Sequence, residues 1–306
     1  MSPARIVLLG TKGGPAIRPD CPWPTSTLLE LGDRRIVVDC GLGVTRGLTD
    51  AGLSLKGLDI VFVTHLHSDH VLELGPLIHT AWTAGLSTPV RVYGPAGLNR
   101  YWQGFVQSLE FDIETRIEDE GRPDLREMVE VVEFGEGEVM VDGGLRVTAL
   151  RVDHPPVTEC FALRFENAGT SVVFSADTAF FPPLAEFSRG ADVLVHEAML
   201  EEGVERLVQR TGNGSRLRQH LMASHSLAEE AGAIATQAGV GRLVINHLIP
   251  ADDDAVTEAD WTDAVRKTWA GPLTIGRDGH VLVIRGDHTG NQENRHETGG
   301  TEERVT

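Results

Sequence analysis

Thr64-His65-Leu66-His67-Ser68-Asp69-His70 follows directly on the apolar run Ile60-Val61-Phe62-Val63. A short, continuous apolar run reads as a buried strand. Three imidazoles and a carboxylate therefore stand on the loop where a strand ends, a place where a rigid scaffold presents chemistry. Imidazole nitrogen and carboxylate oxygen are ligands for zinc and its first-row neighbours. So short a loop does not easily wrap all four groups around one ion. Alternate side chains point to opposite sides, which lets His65 and His67 serve one cation while Asp69 and His70 serve another.

Outward from this loop, strands are predicted over 6–9, 27–31, 36–39, 59–63 and 90–93, with helices over 44–51, 72–84 and 96–109. The second half offers strands over 129–134, 145–152, 160–165, 171–174, 193–196, 243–246 and 280–284, with helices over 227–238 and 260–269. Each half runs from strands toward helices. This predicts an α/β chain built as two mixed β-sheets covered by helices on both outer faces, an αββα sandwich. The domain is expected to span residues 1–285. From residue 286 the chain is polar up to Val305. Such a segment cannot bury enough surface to order itself, so 286–306 is expected to be a disordered tail.

The 306 residues are 41% hydrophobic, enough for a sizeable core. No apolar run has the length of a membrane span, and Ile6–Leu9 is too short for a signal peptide. The three cysteines, Cys21, Cys40 and Cys160, are odd in number and widely spaced. They point to buried thiols in a reducing, cytoplasmic compartment rather than to a disulfide framework. The net charge is −18, and between Glu110 and Glu138 there are 12 Asp or Glu against 3 Arg. A charge of that sign repels phosphate backbones, so nucleic acid is expected to be a poor partner. The acidic run reads as a solvated, partly helical surface segment.

The H-x-H-x-D-H pattern after an apolar strand resembles the metallo-β-lactamase superfamily. The resemblance extends to His154 in Val152-Asp153-His154-Pro155, Asp177 in Ser175-Ala176-Asp177-Thr178, and His247 in Ile245-Asn246-His247-Leu248. Each follows a strand-like run. Several stretches are similar to its ribonuclease Z and arylsulfatase-like branch: Leu8 to Gly14, Val38-Asp39-Cys40-Gly41, Val195-His196-Glu197-Ala198-Met199, Ser224-His225-Ser226-Leu227 and Asn246 to Asp252. Met199 and Leu227 stand where that branch commonly has Thr.

The resemblance implies the metallo-β-lactamase fold and two divalent ions per chain, zinc first, with manganese or iron also accommodated. His65, His67 and His154 would hold one ion; Asp69, His70 and His247 would hold the other; Asp177 would bridge. Two such ions lower the pKa of a shared water from about 15.7 toward about 7, and the hydroxide attacks without a protein nucleophile. Asp69 thus belongs to the catalytic centre as well as to the ligand set. His225 matches the branch's general acid, and Glu197 matches the carboxylate that orients it. Ser226 is placed to cap the following helix with Glu229, in a capping-box spacing. Arg206, Arg210, Arg216 and Arg218 lie between Glu197 and His225, on a helix and a flexible loop expected to cover the pocket. Arg216 and Arg218 are the candidates there for an anionic substrate group.

On charge, the expected substrate is a small-molecule ester such as an aryl sulfate, a phosphodiester or another activated aryl compound. The alternative is a ribonuclease Z-type endonuclease that processes transfer-RNA 3′ ends. The resemblance also implies a homodimer or other oligomer, and nothing in the chain calls for a membrane.

Overall fold

Along the first strand, β1 (Ala4–Gly10), successive apolar side chains go to different cores. Ile6 and Leu8 join one cluster, Val7 and Leu9 another. A strand with both faces covered needs an unbroken apolar run, and β3 (Arg34–Cys40) and β4 (Ile60–Phe62) repeat the pattern. Ile36, Val38, Ile60 and Phe62 face inward, while Val37 and Val61 face outward. The structure, a computed structural model, describes residues 4–212 and 214–284; the tail expected from residue 286 lies outside the described residues.

The described residues form two seven-stranded sheets. In the first, β1, β2 (Ser26–Leu31) and β3 are antiparallel. From β3 onward β4, β5 (Val90–Gly94) and β6 (Val129–Glu133) run parallel. The second sheet repeats this plan. β7 (Gly137–Asp142), β8 (Leu145–Arg151), β9 (Phe161–Asn167) and β10 (Thr170–Phe174) are antiparallel. β11 (Val193–Met199), β12 (Leu243–Ile249) and β13 (Leu273–Ile275) then continue in parallel. The last strand, β14 (His280–Ile284), returns to the first sheet beside β1.

Parallel neighbours need crossovers, and helices supply them. α1 (Val44–Asp50), α2 (Ser68–Val71), α3 (Leu74–Thr83), α4 (Leu98–Ser108) and α5 (Glu110–Glu120) belong to the first half. α1, α3, α4 and α5 cover the first sheet through Leu48, Leu77, Trp82, Trp102 and Ile113. α6 (Pro183–Phe187), α9 (Ala228–Ala238) and α10 (Glu258–Arg266) cover the second through Leu184, Ile234 and Trp261. Between the sheets Phe62 stacks on Tyr93 at 4.7 Å and meets Phe165 edge-on at 5.1 Å, joining the two layers. The acidic run is α5 and its flanks; Arg116 pairs with Asp112 at 3.0 Å and Arg126 with Glu114 at 2.6 Å on the surface.

The segment between Glu197 and His225 is two helices, α7 (Glu201–Thr211) and α8 (Gly214–Ser224), rather than a helix and a long loop. They pack on Met199 and Ile249 through Val204, Val208 and Leu221. No helix among the described residues is long and apolar enough to cross a membrane. All three cysteines are free.

Candidate metal centre

The parallel strands of both sheets end at one crevice, where α/β sheets commonly bind ligands. Three residues there hold left-handed backbone without being glycine: Asp39 (φ 62°), Ala176 (φ 55°) and His247 (φ 43°). Each costs roughly 1–3 kcal/mol, and such strain clusters at functional sites. At the end of β3, the Asp39 carboxylate accepts the Thr64 N–H at 2.8 Å and takes His70 Nδ1 at 2.8 Å. That contact fixes the His70 tautomer and leaves Nε2 for a ligand, the usual support for a metal-binding imidazole. His154 is oriented the same way, with Nδ1 donating to the Ser224 carbonyl at 2.9 Å. Asp69 accepts the Gly14 N–H at 2.8 Å. Gly13 must be glycine, because a Cβ there would lie 2.8 Å from His247 Cε1 and 2.5 Å from the Ile249 side chain.

The seven groups named from sequence converge in two clusters. His65, His67, His154 and Asp177 form one; Asp69, His70, His247 and Asp177 form the other, with the ligand atoms of each within 4.8 Å of one another. One Asp177 oxygen, Oδ2, faces four imidazoles: His247 Nε2 at 3.1 Å, His70 Nε2 at 3.3 Å, His65 Nε2 at 3.7 Å and His154 Nε2 at 3.9 Å. Asp177 is therefore the bridge between the clusters.

His65 Nε2, His70 Nε2 and Asp177 Oδ1 are buried without a hydrogen-bond partner. Each orphaned group costs roughly 1–3 kcal/mol, and their placement, one in each cluster and one on the shared Asp177, fits bound cations. The electrostatics agree. Burial pushes the His65 pKa far down, keeping the neutral, ligating imidazole. Burial opposes charge at Asp177 too, yet His247 and His70 hold its carboxyl well below the usual range. Despite burial, Asp177, Asp39 and Asp69 push His70 well above its ordinary value, so this corner favours positive charge.

Beside the clusters, His225 Nδ1 lies 3.1 and 3.2 Å from the two Glu197 oxygens. Glu197 Oε1 also accepts the Thr178 N–H at 2.8 Å and the Ser226 N–H at 3.3 Å, which fix it in place. Burial works against a charged His225, but Glu197 prevails and its pKa is pushed up to about 9. Ser226 is not the helix cap. Its hydroxyl donates to the Thr178 carbonyl at 2.8 Å, and Glu230 rather than Glu229 accepts the N–H at the start of α9, from Leu227 at 2.8 Å. His196 turns away, its Nδ1 2.6 Å from the Glu197 carbonyl.

A cavity of about 290 Å³ opens over the clusters. His67, Asp69, His225 and His247 form part of its floor, and Leu207, Leu217 and Leu221 give it an apolar wall. Arg216 and Arg218 do not reach it. On α8 the inward positions are Leu217, His220 and Leu221, at helical spacing, so 216 and 218 point outward and are exposed. Arg218 pairs there with Glu201 at 3.3 Å. Arg206 and Arg210 are engaged by Asp253 and Asp252, each at 2.7 Å. Among the cavity residues without a role from sequence are Arg18, His220, whose ring lies 6.2–6.4 Å from those of His225, His154 and His67, and Lys12.

A model of the β-lactamase superfamily domain matches residues 34–248. The ribonuclease Z proteins of Mycobacterium bovis and Mycobacterium marinum are each 34% identical over 282 residues, covering 91% of this chain and 98% of those proteins. The chain belongs to the metallo-β-lactamase superfamily, in its ribonuclease Z branch. Solved structures agree on the fold. The metallo-β-lactamase fold protein YhfI of Bacillus subtilis superposes with a TM-score of 0.69 at 24% identity, covering 92% of this chain and 99% of that one. The short form of human tRNase Z does so with a TM-score of 0.65 at 19% identity, with the same coverage.

This superfamily membership makes the chain a metal-dependent hydrolase, and with the two His/Asp clusters it suggests a dinuclear metal site. It also corrects two expectations. A small-molecule ester as substrate, and nucleic acid as a poor partner, both rested on net charge. Relatives matched over 98% of their length are ribonucleases. Net charge sums over the whole chain, and no residue of the acidic run 110–138 lines the cavity.

Proposed function

We propose that this protein is a two-metal phosphodiesterase that cleaves 3′ extensions from transfer-RNA precursors. The carrying observation is the pair of clusters sharing Asp177 beside a carboxylate-held histidine. The ribonuclease Z relatives supply the substrate class.

In this reading His65, His67, His154 and Asp177 hold one zinc ion, and Asp69, His70, His247 and Asp177 hold the second. The bound ions would activate water near neutral pH and offset charge on the phosphoryl oxygens. The protein does the rest. Asp39 and the Ser224 carbonyl hold His70 and His154 in the ligating tautomer. Asp69, steadied by the Gly14 N–H, completes the second cluster. His225 lines the cavity with Nδ1 engaged by Glu197. Its Nε2 proton is then the one to pass to the leaving oxygen, and Glu197 stabilises the charged ring until it does. The apolar wall from α7 and α8 excludes water. Residues 1–285 are read as the hydrolase domain, with 286–306 as a polar tail outside it.

Incubation of the zinc-loaded protein with a 3′-extended transfer-RNA precursor tests this. Cleavage after the discriminator base is expected. Hydrolysis of simple esters with the precursor left intact would contradict it.

A further inference from the structure

Lys12 is buried, only 3% exposed, and lines the cavity. Its amine donates to the carbonyls of Gly13 at 3.1 Å and Gly14 at 2.8 Å. An ammonium carries three donors, so one remains. Among the described residues no carboxylate lies within 4.0 Å of it. The nearest acids in its field are already matched: Asp252 by Arg18 and Arg210, each at 2.7 Å, and Asp69 by Gly14 and His247. A buried cation without a counter-ion is costly. Burial lowers the Lys12 pKa accordingly.

The backbone holds this amine still. Lys12 N–H donates to the Trp23 carbonyl at 3.0 Å, and Gly13 N–H to the Leu248 carbonyl at 3.0 Å, one residue past His247. The loop is thereby stitched to both sheets. The amine is held at the Gly13 and Gly14 carbonyls, on the wall of the cavity whose lining includes Asp69 and His247, so an anion that it receives shares the cavity with one held at the clusters.

We propose that Lys12 binds a second phosphate of the substrate, adjacent to the scissile one, and so favours polynucleotides over simple phosphodiesters. This rests on the phosphodiesterase reading of the same site. An RNA strand supplies such a neighbouring anion at every step, whereas bis(p-nitrophenyl) phosphate has none. Lys12→Met and Lys12→Arg, made in the full zinc-loaded chain, test it. Lys12→Met should raise KM for the transfer-RNA precursor by roughly 10- to 100-fold, the weight of a charged hydrogen bond. Its kcat, its zinc content and its hydrolysis of bis(p-nitrophenyl) phosphate should stay within about twofold of the parent, and Lys12→Arg should restore most of the loss. By calorimetric titration, Lys12→Met should also lose inorganic pyrophosphate affinity at least tenfold while keeping that for orthophosphate. Equal loss on both esters together with zinc would reduce Lys12 to a brace for the loop and overturn the proposal. So would unchanged pyrophosphate binding. If no RNA is cut at all but pyrophosphate binding still depends on Lys12, the nuclease reading fails and the anion site stands.

Discussion

At the residue scale, His225 is balanced between two opposed effects. Burial favours the neutral ring, Glu197 favours the charged one, and the outcome is a pKa near 9. A histidine raised above its unfolded value of about 6.5 contributes stability that is fully present below that value and lost as pH rises through the folded one. In the proposed role of proton donor it follows the same sign, and activity should fall as pH climbs toward about 9. Glu197→Gln removes the favouring charge, so the alkaline limb of the kcat profile should move to lower pH while zinc content holds. An unmoved limb would show that Glu197 only shapes the loop. His225→Ala should cost roughly 10²–10⁴ in turnover, with a smaller loss on substrates whose leaving groups need no proton. The clustered His and Asp residues and Glu197 were legible in sequence as short motifs in or just past apolar strands, whereas His225 follows helix α8 and was legible only by its His-Ser motif. Lys12 and His220 were not. A lysine in a glycine loop gives no sign that its amine is buried, and His220 is placed only by the helical spacing that carries Leu217 and Leu221 to the same wall.

At the element scale, alternation within unbroken apolar strands decided the layering, and it was readable from runs such as Ile60 to Val63. Helix α5 matches the solvated, partly helical reading of the acidic run; only Ile113 is buried on it, so periodicity could not give its bounds. Strands β7 and β13 were also missed; β7 alternates with mostly exposed residues and β13 is three residues long. Of the α7–α8 hairpin, α8 read as a flexible loop because Gly212 and Gly214 lie at the turn, where Gly212 takes a left-handed conformation (φ 79°). Phe62 is one of the buried residues that join the sheets. Phe62→Ala removes both ring contacts from a fully buried site. It should cost about 3–5 kcal/mol, read as a lower urea midpoint at unchanged slope. A loss under about 1 kcal/mol would mean that the layers are held elsewhere.

At the scale of the whole molecule, net charge was the misleading signal. The sum of −18 counts surface acids on α5 and in the polar tail together with the carboxylates of the centre. Asp39, Asp69, Asp177 and Glu197 are all buried around one crevice, where they attract cations rather than repel a substrate. Both sheets deliver residues of the two clusters to the crevice: His65, His67, Asp69 and His70 from the first, His154, Asp177 and His247 from the second. Asp177 joins the two sets, and metal content measured on purified protein after zinc reconstitution tests that arrangement most directly. The account predicts two zinc ions per chain, falling to one or none in Asp177→Ala. Zinc-free parent protein, or a variant that keeps both ions, would contradict it.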